Sequence, residues 1–482
     1  MKVALVNPRV ESFSSILPPL GLLYVGAVLE KDHEVRIFDP LPGDDKILEE
    51  IVKFQPEVIG ISILTSYLKR AKCIISKLKE KLPSAFFVAG GVHPTALPNN
   101  TLDYFKVDCV VLGEGEETMS EICRKIERGE RWQDVRGIAY RDKAKELIKT
   151  NTKPLIENLD ALPFPARHLI NFKRYLFPPG IIRGEWSEGS TTMMTSRGCP
   201  YQCIWCGSHI IFGKRVRRRS VSNVLEEMEK LIRDYGIDSI WFVDDTFTLD
   251  KGWVLSFTEG IRQRKIRLKW GCQARVDAID EEMLVAMKQS GAVQLDFGVE
   301  SGSNRVLRML KKGTNTEMAK QAFQIVRKVK LRSMASFMIG SPGETRKDIE
   351  ETLKLAKMIK PDYVSFYFTT PFPGTELMNT AKENGWIKEF DYEKAGLKKS
   401  PMMEINFTKD ELIRLRSYLQ NKFMWNNYST LLKNPKYIFK LLRCVGSYPR
   451  GLFMALLAFL KTRVFDDFIF EFLVHYADKK QR

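Results

Sequence analysis

The sequence predicts an α/β protein in two successive parts, a doubly wound, flavodoxin-like parallel sheet and then a partial (β/α)6 TIM-like barrel, followed by a helical C-terminal region. Three observations predict it. Short apolar runs alternate with amphipathic stretches from Met1 to about Gly137, the alternation restarts near Ser190 and repeats six times, and the restart carries three closely spaced cysteines in TSRGCPYQCIWCGS.

The first part contains five strand candidates, KVALVNP, EVRIFDP, EVIGISILTS, AFFVAGGVHP and DCVVLGEGEE. Sheets of this kind bind ligands beyond the carboxyl ends of their strands. Those ends carry Asn7-Pro8, Thr65-Ser66, Gly90-Gly91-Val92-His93-Pro94 and Gly113-Glu114-Gly115-Glu116, where small residues let a large flat ligand approach the backbone. A nucleotide is the alternative ligand, but no G-x-G-x-x-G follows the first strand.

The second part contains six strand candidates: TTMMTS (191–196), SIWFVDD (239–245), KWGCQAR (269–275), QLDFGVES (294–301), SMASFMIG (333–340) and YVSFYFTT (363–370). Helices separate them. The stretch 223–235 has an N-cap candidate, Glu226 three residues later and Gly236 at its stop, and 316–330 places Ala319, Ala322, Ile325, Val326 and Val329 on one stripe. Six such units make a barrel open at one side, and parallel barrels gather their functional residues at strand carboxyl ends. The first unit ends in the cysteine loop. The later ones end in Asp244-Asp245-Thr246, Arg275, Glu300-Ser301 and Gly340-Ser341-Pro342-Gly343-Glu344-Thr345.

Cys199, Cys203 and Cys206 put three thiolates on one tight loop. A cubic [4Fe-4S] cluster has four irons, so three cysteines leave one iron open to a small molecule. The alternative is a structural zinc site, which wants a fourth ligand that His209 could offer.

Composition narrows the rest. The chain has 482 residues, enough for two to three domains, and its Lys and Arg outnumber Asp and Glu by 76 to 59, a net charge of +17. The basic run Lys214, Arg215, Arg217, Arg218 and Arg219 lacks aromatic interleaving, so no nucleic-acid partner is expected. The eight cysteines are scattered singly outside the central trio, which argues against a disulfide framework and for a reducing cytoplasm. The N-terminus reads as a strand and not a signal peptide. The apolar run 451–460 is too short to span a bilayer. Residues 437–476 mix apolar side chains with Lys440, Arg443, Arg450, Lys461 and Arg463, a pattern that fits packed terminal helices or a helix lying on the inner membrane face.

The cysteine spacing, with Trp205 before the third cysteine, resembles the radical S-adenosylmethionine (SAM) superfamily, in which SAM chelates the open iron. PPLGLLYVGAVLE (18–30), GGVHPTALP (90–98) and the linker DALPFPARHLI (160–170) resemble the branch with an N-terminal cobalamin-binding domain, the class B methyltransferase-like enzymes. The resemblance implies three cofactors: a [4Fe-4S] cluster on Cys199, Cys203 and Cys206, SAM and cobalamin. By the same resemblance Asp244, Asp245 and Thr246 orient the SAM amino group, Arg275 pairs with its carboxylate, Glu300 and Ser301 bond its ribose, and Gly340, Pro342 and Gly343 approach its adenine. Thr65, Ser66, Gly90, Gly91, His93, Gly113, Glu114 and Gly115 fall to cobalamin. None of the five histidines has Asp two positions earlier, so the lower cobalt ligand of the D-x-H-x-x-G motif is not expected. No second cluster is expected, because Cys73, Cys109, Cys123, Cys272 and Cys444 are isolated.

The resemblance implies reductive cleavage of SAM to a 5′-deoxyadenosyl radical and methylation of an unactivated carbon. A cobalamin-dependent cyclase, oxidase or rearrangement catalyst is the enzymatic alternative, and a noncatalytic cobalamin or iron–sulfur sensor the other. Partners would be a small-molecule or lipid-like substrate and an electron donor such as ferredoxin or flavodoxin. The expected domains are residues 1–140 for cobalamin, 141–188 as linker, 189–400 for the radical SAM core and 401–482 as a helical region, with a helix candidate at 410–427, that covers the open barrel side or shapes the substrate pocket.

Overall fold

In the first half of the chain, five parallel strands follow from five apolar runs too short for helices and bounded by turn residues. They are β1 (Lys2–Val6), β2 (Glu34–Phe38), β3 (Val58–Ser62), β4 (Phe86–Gly90) and β5 (Cys109–Val111), with helices α1 (Leu20–Leu29), α2 (Lys46–Phe54), α3 (Leu68–Lys81), α4 (Val92–Ala96), α5 (Pro98–Phe105) and α6 (Glu116–Glu127). The computed structural model describes residues 1–9, 17–39, 46–176, 181–387, 390, 398, 400–427 and 439. Cys444, the 451–460 run and almost all of the 437–476 tail lie outside the described residues.

The first sheet has the order β2-β1-β3-β4-β5 and is extended by an antiparallel pair, β6 (Ile138–Arg141) and β7 (Leu147–Lys149). The sheet therefore runs to Lys149, beyond the expected boundary at residue 140. Sequence periodicity missed this hairpin because four- and three-residue strands are too short to show alternation. Separate apolar layers cover the two sheet faces. Ile51, Ile59, Ile75 and Phe87 lie in one layer and Val3, Leu23, Val88 and Ile122 in the other.

The cysteine loop sits between β8 (Ser190–Met193) with β9 (Ser196–Arg197) before it, and α7 (Ser208–Phe212) with β10 (Arg217–Arg218) after it. β9 and β10 pair antiparallel and clamp the two ends of the loop. Then come α8 (Val221–Tyr235), β11 (Ser239–Phe242), α9 (Lys251–Gln263), β12 (Lys269–Ala274), α10 (Glu281–Gln289), β13 (Ala292–Glu300), α11 (Asn304–Met309), α12 (Thr316–Val329), β14 (Arg332–Ile339), α13 (Arg346–Ile359), β15 (Tyr363–Phe368), α14 (Glu376–Glu383) and α15 (Lys409–Lys422). The six strands β8, β11, β12, β13, β14 and β15 are parallel neighbours in sequence order, and β8 does not pair with β15. The open six-stranded barrel is as expected.

Local details differ. Helix α8 is capped by Ser220, whose hydroxyl accepts from the Asn223 N–H, so it begins two residues before the expected start, and it stops at Gly236 in the left-handed region. On α12 Phe323 takes the core position expected of Ile325, which is only partly buried. Arg217 and Arg219 of the basic run are buried in ion pairs.

Helix α15 packs along the free edge of β15. Gln420 accepts from the Phe366 N–H at 3.0 Å and donates to the Val364 carbonyl at 2.9 Å. Asn427 accepts from the Val364 N–H at 2.8 Å, and Arg416 Nε donates to the Phe366 carbonyl at 3.0 Å. Three side chains thus replace the missing neighbour strand and blunt an edge that would otherwise be free to pair.

Candidate functional site

The cysteine loop leaves β9 through Gly198, whose φ is +93° and whose missing Cβ would lie 2.2 Å from the Arg215 carbonyl oxygen, so no other residue fits there. The loop is then pinned from several sides. The Ile204 N–H donates to Leu310 O at 3.2 Å, and the Leu377 N–H donates to Ile204 O at 2.9 Å. Ile204 is buried beside Val306, Leu310, Met338 and Leu377. The Arg275 guanidinium lies 3.3 Å from the Tyr201 ring centroid.

All three cysteines are half-buried. Burial pushes their thiols up, Cys206 to about 11, while Lys312 and then Arg275 pull Cys203 the other way. Neutral thiols do not ligate, so metal must draw the protons off. Among the described residues no three His, Cys, Asp or Glu side chains converge on one ion. His209 Nε2 donates to the Cys199 carbonyl at 2.9 Å. A mononuclear zinc site needs that convergence. A cubane does not, because each thiolate takes a different iron, and this donor set fits the cluster.

The barrel-strand ends surround the loop, yet several expected contacts have other employment. Asp244 is 1 % exposed and accepts from the Thr195 N–H at 3.0 Å, the Thr195 hydroxyl at 2.7 Å and the Ser196 hydroxyl, bracing the approach to the loop. Its carboxylate supports the approach to the loop. Asp245, one residue on, is exposed and takes a hydrogen bond from Ser208. Arg275 is paired with Asp277 through two nitrogens at 3.0 Å and donates to Lys312 O, so the expected SAM carboxylate partner is already bound within the fold.

Glu300 ends β13 at a register shift between Gly298 and Glu300, with φ at +69°. For a non-glycine residue this conformation costs about 1–3 kcal/mol and persists only where surroundings enforce it. Lys312 Nζ holds Glu300 Oε1 at 2.9 Å, both side chains being buried. Ser301 is fully buried and accepts from the Ser303 N–H at 3.1 Å, so its hydroxyl shapes the turn. At the end of β14, Glu344 is fully buried and accepts from the Gly340 and Ser341 N–H groups at 2.7 and 3.1 Å, folding Gly340, Pro342 and Gly343 into a tight turn. Burial pushes Glu344 up to about 8.

At the first sheet's carboxyl edge, Ser66, Gly90, Gly91, Gly113 and Gly115 are partly exposed, and Leu64 beside them is 37 % exposed. This shelf of small residues with an apolar neighbour fits a flat, bulky ligand such as a corrinoid. Thr65 and His93 do not lie on it. Both are buried, with Thr65 Oγ1 3.2 Å from His93 Nδ1, and burial pushes His93 down to about 4, which leaves it neutral and bracing the shelf from behind. Glu114 does not reach it either: its side chain is 4 % exposed and is held by Arg197 at 2.8 Å and Arg217 at 2.7 Å, with the Ile156 N–H also donating at 2.8 Å. Arg197 also bonds Glu116 at 2.5 Å. Sequence reasoning missed this network because its members lie up to 103 residues apart.

The shelf and the cysteine loop share a border. A Cβ on Gly374, just past β15, would lie 2.8 Å from Ile210 of α7 and 2.9 Å from Ala96 of α4. Gly113 faces the Ile211 carbonyl at 3.8 Å from where its Cβ would be. The ligand-facing edges of both sheets therefore meet next to the three cysteines.

Comparison with known proteins gives the same division. The B12 binding domain family matches residues 6–123 and the radical SAM superfamily residues 193–356. An uncharacterised methyltransferase of Pyrococcus horikoshii is 34 % identical over 427 residues, 86 % of this chain and 90 % of the relative. The cytidylyl-2-hydroxyethylphosphonate methyltransferase of Streptomyces wedmorensis is 31 % identical over 443 residues, 80 % of this chain and 82 % of the relative. The solved structure of TsrM from Kitasatospora setae, a radical SAM methyltransferase with cobalamin and a [4Fe-4S] cluster bound, shares the fold at a TM-score of 0.69 and 20 % identity, covering 81 % of this chain and 79 % of TsrM.

Proposed function

This chain belongs to the radical SAM methyltransferases that carry a B12 binding domain, and we propose that it methylates an unactivated carbon of a small molecule at the border between its two sheets. Its cofactors are a [4Fe-4S] cluster, SAM and cobalamin. Bound there, these groups supply one-electron cleavage of SAM and a transferable methyl group. The observation that carries the reading is the shared border itself, where Gly374, Ile210 and Ala96 bring the edge of the first sheet against the helix that follows the cysteine loop.

In this reading Cys199, Cys203 and Cys206 hold three irons. Asp245, the exposed carboxylate of its pair, is the group that receives the SAM amino group, and Asp244 keeps it in place by fixing Thr195 and Ser196. The Gly340–Gly343 turn offers backbone to the adenine. Ser66, Gly90, Gly91, Gly113 and Gly115 carry the corrinoid, with no histidine from the first sheet reaching cobalt. A cluster that must be reduced requires a low-potential electron donor, for which ferredoxin or flavodoxin is the class. Residues 437–476 supply apolar and basic side chains suited to a membrane surface. No helix among the described residues is long and apolar enough to cross a membrane.

The test is anaerobic reconstitution with iron, sulfide, cobalamin and SAM, followed by metal and corrinoid analysis and mass spectrometry of products from candidate substrates. A product heavier by one methylene supports methyl transfer. An isomer or a dehydrogenated product would replace it with cyclase or oxidase chemistry, and the absence of 5′-deoxyadenosine with a substrate that binds would favour the sensor.

A further inference from the structure

Two buried cations touch the cysteine loop, one at each of its aromatic residues. Arg275 stacks on Tyr201 and is neutralised by Asp277. Lys312, 6 % exposed, lies 5.7 Å from the Trp205 ring centroid and is neutralised by Glu300 at 2.9 Å. The two are linked, since Arg275 donates to the Lys312 carbonyl at 3.0 Å.

The fold goes out of its way to keep the second pair. Glu300 sits in the left-handed region at a break in strand register, and a Cβ on Gly298 would lie 2.3 Å from Glu300 Oε1 and 3.1 Å from Lys312 Nζ. Burying an ion pair is weak evidence for stability, because desolvation offsets most of the attraction. A strained, buried pair beside a centre whose charge changes by one on reduction calls for an electrostatic role, and the potentials of iron–sulfur clusters respond to nearby charge.

We propose that the Lys312–Glu300 pair sets the reduction potential of the cluster held by Cys199, Cys203 and Cys206, the ammonium favouring the reduced state and the carboxylate cancelling that pull. The proposal rests on the cluster assignment above. Lys312 and Glu300 act here as positioning residues that present two opposed charges to the loop at Trp205.

The experiment is an EPR-monitored redox titration of the reconstituted full-length protein without SAM, after iron and sulfide content has been measured. Glu300→Gln is expected to raise the midpoint potential by leaving the ammonium unbalanced, and Lys312→Met to lower it. The double variant and Lys312→Arg should lie near wild type, which also separates a charge effect from misfolding. Full cluster content with unmoved potentials in both single variants would overturn the proposal alone. A wild-type protein that takes up no iron or sulfide would overturn the cluster assignment and the proposal with it.

Discussion

Arg197 Nη1 lies 2.8 Å from Glu114 Oε1 with both side chains at most 4 % exposed, tying the strand that enters the cysteine loop to the last ligand-facing loop of the first sheet. The same carboxylate takes Arg217 from the strand that leaves the loop. Loading of the first sheet and the shape of the cysteine loop thus share one anchor.

Glu114→Ala should therefore destabilise the protein by about 3–5 kcal/mol, since it leaves the buried Arg217 guanidinium without its carboxylate while Arg197 keeps only Glu116. Burial works against the Glu114 charge, but bonding to Arg217 and Arg197 outweighs it and holds the carboxyl below its ordinary value. Its contribution is then complete above the ordinary carboxylate range and is lost as pH falls through the lowered folded value. Chemical denaturation from neutral to acid pH should show wild type converging on the variant at low pH. Parallel curves would refute the assignment.

Gly198→Ala should abolish cluster uptake, because its Cβ would meet the Arg215 carbonyl at 2.2 Å and φ is +93°. Gly207→Ala, whose nearest contact would be the Ile210 side chain at 3.5 Å, should retain iron and sulfide at the wild-type level. Metal analysis of the two variants side by side decides it.

Alanine at Cys199, Cys203 or Cys206 should remove bound iron and SAM cleavage together. Cys272→Ala should remove neither. Cys272 is fully buried in β12, and burial pushes its thiol well above the ordinary range, so it is not available as a ligand. Iron loss in the Cys272 variant, with the fold intact by circular dichroism, would count against a three-cysteine site.

The adjacent aspartates should separate by readout. Asp244→Ala strips the acceptors from Thr195 and Ser196 and should lower the melting temperature, each buried group left unsatisfied costing about 1–3 kcal/mol. Asp245→Asn should leave stability near wild type and weaken SAM binding by calorimetry. The reverse pattern would reassign the SAM contact to Asp244.

Gln420→Ala should destabilise the barrel by roughly 1–3 kcal/mol for each β15 backbone group it leaves bare. Because it also reopens a strand edge, light scattering should reveal faster aggregation than for an exposed control such as Tyr418→Ala.

The strands and helices were legible because apolar period and turn residues are local properties. All six barrel strands fall within a few residues of the runs that announced them, and α8 stops at Gly236 where the chain needs a left-handed residue. Among the site residues the cysteines were legible by spacing. The partners within the fold of Asp244, Arg275, Ser301, His93 and Glu114 were not, because a polar residue at a strand end reads alike whether it faces a ligand or a neighbour. Lys312 and Arg197 carried no signal, since their partners come from elsewhere in the chain.

The sequence by itself determined the two-part α/β architecture, the three-thiol loop and the small residues at the first sheet's edge, all of them consequences of contacts within a few residues. Only the tertiary structure decided which strand-end carboxylates are buried supports, which remain exposed, and that both sheet edges converge on one loop. The physical reason is that a charge's role depends on its solvation and its partner, and Glu114 finds its partners 83 and 103 residues away.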